Sequence, residues 1–230
     1  MPSQPPPLPP GWPYPPRGPA PEPVRSAGAG LPGLDGLWSL EAVPDLDLGG
    51  VETGLGRAFG RGGILRAGDV VIRPYRRGGL VRHLNERLYP TPWRFRREFQ
   101  VHRALWAAGL PTVEPLGWAC RRRLWGWEGA YLTRWAEGVP WPRAWERSPQ
   151  VLAELRTLLK ALGAWGLLAP DLNATNILVR PSGSILALDW DRAGWTRNAG
   201  LMDRYRSRLV RSLEKLGAPP MAVAEMMNLG

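Results

Sequence analysis

Residues 170–179 read PDLNATNILV and residues 186–191 read LALDWD, and these two stretches decide the fold. In the first stretch Asp171 is followed five positions later by Asn176, which opens a short apolar run. A turn follows, and then a second apolar run ends on Asp189. The pattern predicts a hairpin of two short strands, each with an oxygen ligand at one end. Such ligands suit a divalent metal that also binds phosphate.

Three of the polar residues in these stretches, Asp171, Asn176 and Asp189, predict phosphoryl-transfer chemistry. Asp171 lies in a predicted loop between a helix and a strand, where a carboxylate can accept the proton of an acceptor hydroxyl. Asn176 and Asp189 are predicted metal ligands. Mg²⁺ takes few protein ligands and completes its shell with water and phosphate oxygens. With two His and one Cys, the chain lacks the residues of a zinc site.

Composition predicts a globular chain in the cytoplasm. The chain has 230 residues, of which 44% are hydrophobic, so it can bury a core as one domain or as two lobes. No apolar run approaches the roughly 20 residues of a membrane span. The N-terminus lacks the apolar core of a signal peptide. Cys120 is the single cysteine, which excludes an internal disulfide.

The net charge of +10 predicts attraction to anions. Candidate partners of this kind are a nucleotide, a nucleic acid, a phosphorylated glycolipid and an anionic membrane face. The charge and the 13 Trp residues suggest a nucleic-acid binder. The Trp residues, however, are scattered and do not alternate with Arg as a stacking platform would require. We therefore expect no nucleic-acid partner.

The chain divides into three predicted segments. Residues 1–36 hold 13 of the 26 prolines and form a predicted disordered tail, for which a docking role is the alternative. Residues 37–135 form an N-terminal lobe of strands and Gly-rich turns. The sequence Ala136-Glu137-Gly138 breaks that pattern. Residues 136–230 form a second, mainly helical lobe.

Turn and cap signals place the main elements. A hairpin is predicted around residues 67–69, and a helix begins at Thr91-Pro92 and ends before Gly109. Further strands are predicted at 113–118 and 130–135. A helix with an apolar stripe follows Ser148-Pro149, and a terminal helix with a basic face follows Gly200. That last helix either packs with a solvated face or lies on an anionic membrane.

The order of these features resembles the protein-kinase signature set. A Gly-rich segment at 49–63 precedes Arg73 at the end of a strand, and Glu98 lies on the next helix. The Asp-x4-Asn and Asp-aromatic patterns follow in the expected order. The resemblance implies an α+β, two-lobed protein-kinase-like fold. Its small N-terminal lobe has an antiparallel sheet plus a helix, and its second lobe is mainly helical.

More specific motifs resemble the bacterial Kdo kinase and lipopolysaccharide core kinase family. These motifs are DLNATNIL from Asp171, LDWDR from Leu188, RPYRRGGL from Arg73, and RLVRSLEKL from Arg208. The resemblance covers residues 50–217. It implies an ATP-dependent kinase of a sugar hydroxyl, on 3-deoxy-D-manno-octulosonic acid (Kdo) or a core heptose of lipid A. It also implies peripheral attachment to the cytoplasmic face of the inner membrane.

The resemblance assigns roles by position. Asp171 would be the catalytic base, and Asn176 and Asp189 would hold Mg²⁺. For ATP it implies four residues: Arg73 at the place of the nucleotide-phosphate Lys, Glu98 as its helix partner, and Gly54 and Gly56 at the start of the phosphate-covering loop. Gly60 and Gly62 offer an alternative register for that loop. Arg73 can supply the same charge to phosphate as a Lys.

Two departures from the family pattern fall in the deciding stretches. The family has His-x-Asp in the catalytic loop, whereas Ala169-Pro170 precede Asp171 here. Trp190 replaces the usual Phe, as a larger apolar plug of the same kind. Asp191 is either a second metal ligand or a turn cap. No Arg precedes Asp171, which argues against control by a phosphorylated activation segment.

The predicted function is phosphorylation of a lipid A-linked or other anionic sugar acceptor, whose charges would meet the basic residues of 73–97. A catalytically silent kinase-like binding module is the main alternative, and another small-molecule or glycolipid acceptor is a second. A protein-serine kinase is disfavoured, because the region after Asp191 is short and lacks an Ala-Pro-Glu element.

Overall fold

The computed structural model describes residues 5–48, 51–52, 63–76, 87–197 and 200–228. Contacts divide the chain into two compact units. We call them the sheet unit (Pro19–Arg103 and Glu114–Trp135) and the helical unit (Met1–Gly18, Ala104–Val113 and Ala136–Gly230). The chain divides between Trp135 and Ala136, where the sequence also places a boundary. Unlike the predicted lobes, the units are discontinuous in sequence.

The sheet unit is built on an antiparallel sheet. Within the described residues it has seven strands in the order β1-β2-β6-β7-β5-β4-β3. The strands are β1 Val24–Leu31, β2 Leu34–Ala42, β3 Val51–Glu52, β4 Leu65–Ala67, β5 Val70–Pro74, β6 Pro115–Arg123 and β7 Gly126–Arg134. The predicted hairpin around residues 67–69 is confirmed: β4 pairs with β5 across a turn in which Gly68 has φ +54°.

Helix α1, Trp93–Ala107, begins after the predicted Thr91-Pro92 cap. Its buried residues include Phe95, Phe99 and Leu105, at the spacing expected of one helix face. The Phe95 ring lies directly over Gly129 of β7, because a Cβ at Gly129 would stand 2.6 Å from its ring carbons. The absent side chain at Gly129 is therefore what admits the ring.

In the described part of the helical unit there are three main helices: α2 Ser148–Ala164, α3 Leu201–Lys215 and α4 Pro220–Met227. The predicted apolar stripe of α2 is buried, from Val151 to Leu162. Short strands complete this unit: β8 Val139–Pro140, β9 Leu167–Leu168, β10 Ile177–Val179, β11 Ile185–Ala187 and β12 Gly194–Trp195. β10 and β11 form the predicted hairpin, with Ile177 opposite Ala187. Together the two units confirm the predicted α+β class.

The N-terminal segment differs from the predicted disordered tail of 1–36. Strand β1 pairs with β2 along its length. Sequence patterns do not predict this strand, because an edge strand with six exposed residues of eight carries no apolar alternation. Farther upstream, the Trp12 indole donates to the carbonyl of Ala108 at 2.7 Å, and its ring meets Trp165 edge-on at 5.2 Å. Aromatic and backbone contacts thus order a stretch that composition alone marks as extended.

A Gly129→Ala variant should lower the free energy of unfolding by about 1–3 kcal/mol, since the new methyl group overlaps the Phe95 ring. Urea unfolding followed by circular dichroism measures the change. Gly30→Ala is the matched control: no heavy atom lies within 4 Å of the added Cβ, so its stability should stay close to that of the parent. Equal stability of the two variants would contradict the packing described.

Candidate active site

The loop that carries Asp171 is closed by two side-chain amides. It runs from β9 to a short 3-10 helix, Ala174–Asn176. The carbonyl oxygen of Asp171 accepts one hydrogen bond from Asn173 Nδ2 at 2.8 Å and one from Asn176 Nδ2 at 2.9 Å. Asn173 Oδ1 also caps the 3-10 helix by accepting from the Thr175 backbone at 2.9 Å. Local polar bonds therefore shape the loop without a histidine.

Two side chains of helix α3 form hydrogen bonds with the backbone of this loop and of the strand before it. The Ser212 hydroxyl accepts from the backbone N–H of Ala174 at 3.1 Å. The Tyr205 hydroxyl donates to the carbonyl of Leu167, and burial raises the Tyr205 pKa well above its usual value. Ala169, two residues before Asp171, is 2% exposed. A small buried side chain there lets the loop pack closely.

The β10–β11 hairpin brings the two predicted metal ligands to the same end. The backbone N–H of Leu188 donates to the carbonyl of Asn176 at 2.8 Å, and Asp189 follows directly. Asn176 bonds to the loop through its nitrogen, so that bond does not use the Oδ1 that a metal would need. Asp189 has φ +64°, and its Oδ1 accepts from the Asp191 backbone at 3.4 Å. Its strained backbone is typical of functional sites.

Trp190 is the buried plug that the sequence predicts, at 1% exposure. Its indole nitrogen donates to Thr112 Oγ1 at 2.8 Å, and that hydroxyl donates to the carbonyl of Ala187 at 2.8 Å. The Ala187 N–H in turn donates to the Pro111 carbonyl. A phenylalanine cannot make the first of these bonds. The larger ring is therefore held by a hydrogen bond as well as by packing.

Both carboxylate oxygens of Asp171 are paired with arginines. Arg192 donates from Nε to Oδ2 at 3.0 Å and from Nη2 to Oδ1 at 2.6 Å, which is a bidentate pair. Arg208 of α3 adds a longer contact to Oδ1 at 3.3 Å. Neither arginine is predicted as a partner of Asp171, because no local pattern links a residue of α3 to a carboxylate 37 positions away.

In the sheet unit, the structure brings Arg73 and Glu98 together. Arg73 Nη2 donates to Glu98 Oε1 at 2.6 Å, and the Tyr75 hydroxyl donates to Oε2 at 2.5 Å. Glu98 is 2% exposed, so it is not part of a solvated charged face. The Arg73 guanidinium lies 5.4 Å from the Tyr75 ring and 5.6 Å from the Tyr131 ring. A buried, fully paired carboxylate thus orients one arginine.

The remaining predicted site residues lie outside the described ranges. Gly54 and Gly56, and the alternative pair Gly60 and Gly62, fall in 53–62, and two of the eight arginines of 73–97, Arg77 and Arg82, fall in 77–86. Within the described ranges, no three or more His, Cys, Asp or Glu residues form a cluster able to hold a metal. A metal site formed by Asn176, Asp189 and water would not be such a cluster, so it is compatible with that finding.

An Asn173→Ala variant should lower the free energy of unfolding by about 1–2 kcal/mol, because it removes the helix cap and one bond to the Asp171 carbonyl. Urea unfolding measures the loss. Thr175→Ala is the matched control. It removes the exposed bond from the Thr175 hydroxyl to Asn173 Oδ1 but keeps the backbone bond to that oxygen, so it should change stability by less than about 0.5 kcal/mol. A neutral Asn173→Ala would show that the loop keeps its shape by other means.

The Tyr75–Glu98 bond predicts a pH dependence of stability. Burial, and then the Glu98 charge, raise the Tyr75 pKa well above its usual 10. Above pH 10 the unfolded chain releases a proton that the folded chain keeps, so the free energy of unfolding falls as pH rises. The parent should lose about 1.4 kcal/mol more per pH unit above 10 than Tyr75→Phe does. Urea unfolding at several pH values measures both slopes. Tyr205 also titrates, but it does so in both proteins and cancels from the comparison. Equal slopes of unfolding free energy against pH would therefore contradict the role of Tyr75.

Comparisons with known proteins match this arrangement to one family. The family model described as "Lipopolysaccharide kinase (Kdo/WaaP) family" matches residues 48–228. The 3-deoxy-D-manno-octulosonic acid kinases of two Xylella fastidiosa strains, M12 and 9a5c, are 32% and 31% identical over 157 residues. These alignments cover 65% of this chain, and the chain spans 63% of the length of these relatives.

A weaker likeness joins the chain to a solved structure, "ROP18 kinase domain in complex with AMP-PNP and sucrose". It has a TM-score of 0.47 and 11% identity, and covers 94% of this chain and 79% of that one. The family match is the stronger finding, because it spans most of the chain and includes Asp171, Asn176 and Asp189. The chain belongs to the lipopolysaccharide kinase (Kdo/WaaP) family.

Proposed function

We propose that this protein transfers the γ-phosphoryl group of ATP to a hydroxyl of 3-deoxy-D-manno-octulosonic acid on lipid A. The observation that carries the proposal is a family match that includes the Asp171 loop and the hairpin ending in Asp189. The names of the relatives, 3-deoxy-D-manno-octulosonic acid kinases, support the choice of sugar. The loop geometry supports a fixed position for the carboxylate that receives the proton.

Asp171 is the proposed general base. The acceptor oxygen forms a bond to the γ-phosphorus, the bond from that phosphorus to the β,γ-bridging oxygen breaks, and ADP leaves. The hydroxyl proton passes to the Asp171 carboxylate. Each carboxylate oxygen offers two lone pairs, and Oδ2 accepts one hydrogen bond from the described residues, so it retains a lone pair for the acceptor. Arg192 fixes the carboxylate plane, which contributes positioning rather than proton transfer.

Asn176 and Asp189 are the proposed Mg²⁺ ligands. An amide oxygen and a carboxylate oxygen form a hard donor set, which fits Mg²⁺ and its preference for a shell completed by water and phosphate. Bound there, Mg²⁺ would supply positive charge to the phosphate oxygens of ATP. The chain itself contributes the hairpin, which fixes where the two donors stand.

Arg73 is the proposed counter-charge for the ATP phosphates, and Glu98 its orienting partner. The guanidinium already shares one bond with a buried carboxylate and lies beside two aromatic rings, so little conformational freedom remains to be lost on binding. Gly54 and Gly56 are proposed to cover the phosphates, as the family resemblance implies.

Peripheral contact with an anionic membrane is also proposed, through charge rather than insertion of α3. The apolar face of α3 is buried within the helical unit: Leu209 and Leu213 are both fully covered. No helix in the described part of the chain is long and apolar enough to cross a bilayer. Lys215 at the end of α3, together with the exposed Met221 and Met227 of α4, is what remains for a membrane surface.

The Asp171→Asn variant tests the proposal. With Kdo-bearing lipid A precursor and ATP, turnover should fall by about 10²–10⁴-fold, since the amide cannot take up the proton. Its melting temperature should stay close to that of the parent, because the lost ion pairs are partly exposed. Glu146→Gln, on an exposed side chain of the same unit, is the matched control and should keep full turnover.

The outcomes separate the alternatives. Equal turnover by Asp171→Asn and the parent would remove Asp171 from the role of base. ATP binding without turnover on any acceptor would support a silent kinase-like binding module. Turnover on another anionic sugar or glycolipid, but not on Kdo, would keep the chemistry and change the acceptor.

A further inference from the structure

A groove lies beside the catalytic loop, entirely within the helical unit. It encloses about 450 Å³, and two elements supply its lining. The residues just before Asp171 form one wall, and α3 forms the other. Its lining includes Ala169, Pro170, Arg204, Tyr205, Arg208 and Arg211. The groove therefore opens next to the residue proposed to receive the acceptor's proton.

The groove is strongly positive. Arg204, Arg208 and Arg211 recur at helical spacing along one face of α3, so their charges point the same way. Asp203 is the one acidic residue in the lining, and it already pairs with Arg206. Among the described residues, no hydrogen bond or ion pair engages the Arg204 side chain. Three guanidinium groups with little local compensation favour an anionic ligand.

Arg208 has an unmet hydrogen-bonding requirement. Its Nε is buried and lacks a hydrogen-bond partner among the described residues, whereas its Nη2 lies 3.3 Å from Asp171 Oδ1. A buried N–H of a charged group without an acceptor is costly. The Arg208 side chain as a whole is 38% exposed and lines the groove, so an anion there can reach the rest of its guanidinium. The same guanidinium would then contact both the ligand and the carboxylate that acts on it.

This double contact limits how far the anion stands from the reacting hydroxyl. A hydrogen bond on each side of one guanidinium adds about 3 Å, so an anion on Arg208 lies within roughly 8 Å of the Asp171 carboxylate. That is the scale of a single sugar residue. An acidic group on the same sugar as the reacting hydroxyl can span the gap, whereas a charge several residues away on a long glycolipid would be too distant.

We propose that Arg204, Arg208 and Arg211 form the subsite for the carboxylate of an acidic sugar acceptor, with Arg208 placing that sugar's hydroxyl against Asp171. The proposal rests on the proposed function and adds to it the group that selects the substrate. The subsite lies on α3 and not in the basic run of 73–97, where the sequence places contact with the acceptor. Arg208 is a positioning residue, because the proton passes to Asp171.

The test combines two variants with two ligands. Arg204→Gln/Arg211→Gln leaves the Asp171 ion pairs in place, and Arg208→Lys keeps one charge but loses the fork. The ligands are free Kdo and its methyl ester, which lacks the negative charge. The parent should bind Kdo at least tenfold more tightly than the ester by calorimetry. The double variant should bind both with similar weak affinity. Arg156→Gln/Lys160→Gln on α2, at two exposed sites, removes the same number of charges as the double variant and should behave like the parent.

Kinetics on Kdo-bearing lipid A precursor in detergent gives a second readout. The double variant should raise the acceptor KM at least tenfold and leave the KM for ATP unchanged. Arg208→Lys should lower kcat as well, since it misplaces the hydroxyl. Binding by calorimetry needs no turnover, so an inactive protein that still discriminates Kdo from its ester would overturn the proposed function and keep the subsite.

Two results would overturn the subsite. One is a double variant whose affinity for Kdo equals that of the parent. The other is a double variant that keeps the parental acceptor KM and loses only its sedimentation with phosphatidylglycerol vesicles. That second result would assign the three arginines to the membrane surface instead.

Discussion

The carbonyl oxygen of Asp171, held by the amides of Asn173 and Asn176, is the constraint on which the rest of the site depends. A single acceptor fixes two side chains, and through them it fixes the loop, the cap of the 3-10 helix and the start of β10. Asn176 makes this bond through Nδ2, which leaves its Oδ1 available to a metal. The proposed base and the proposed metal ligand are therefore positioned by the same pair of bonds.

Helix α3 places one of the two arginines that contact the Asp171 carboxylate. This helix buries Leu209 and Leu213 in the core of its unit, and that packing sets which face it turns toward the loop. Arg208 then meets Asp171 from the helix, and Arg192 meets it from the chain just after the hairpin. Helix α3 thus contributes leucines to the core and an arginine to the site. A change that disturbs its packing would therefore also move the positive charge beside Asp171.

The parts of this structure that follow local rules are predictable from the sequence. Apolar spacing and turn residues predict the hairpin after Asn176, the apolar stripe of α2 and the ends of α1. The Arg73–Glu98 pair came from the family resemblance, and burial of Glu98 could not be read from its charged neighbours. Strand β1 has no alternation, and the Arg208, Thr112 and Tyr75 contacts join residues distant in sequence. Such contacts depend on tertiary packing, for which a single sequence gives no spacing rule.

The hydrogen bond from Trp190 to Thr112 bears on how this kinase family member can be controlled. In protein kinases the aromatic residue after the metal-binding Asp changes its packing between active and inactive forms. Here that movement would break the buried hydrogen bond from the Trp190 indole to Thr112 Oγ1, at a cost of about 1–3 kcal/mol. An equilibrium biased by that much keeps the displaced form scarce. A conformational switch at Trp190 is therefore disfavoured. We expect the proposed activity to be controlled by the supply of substrate or by the amount of protein.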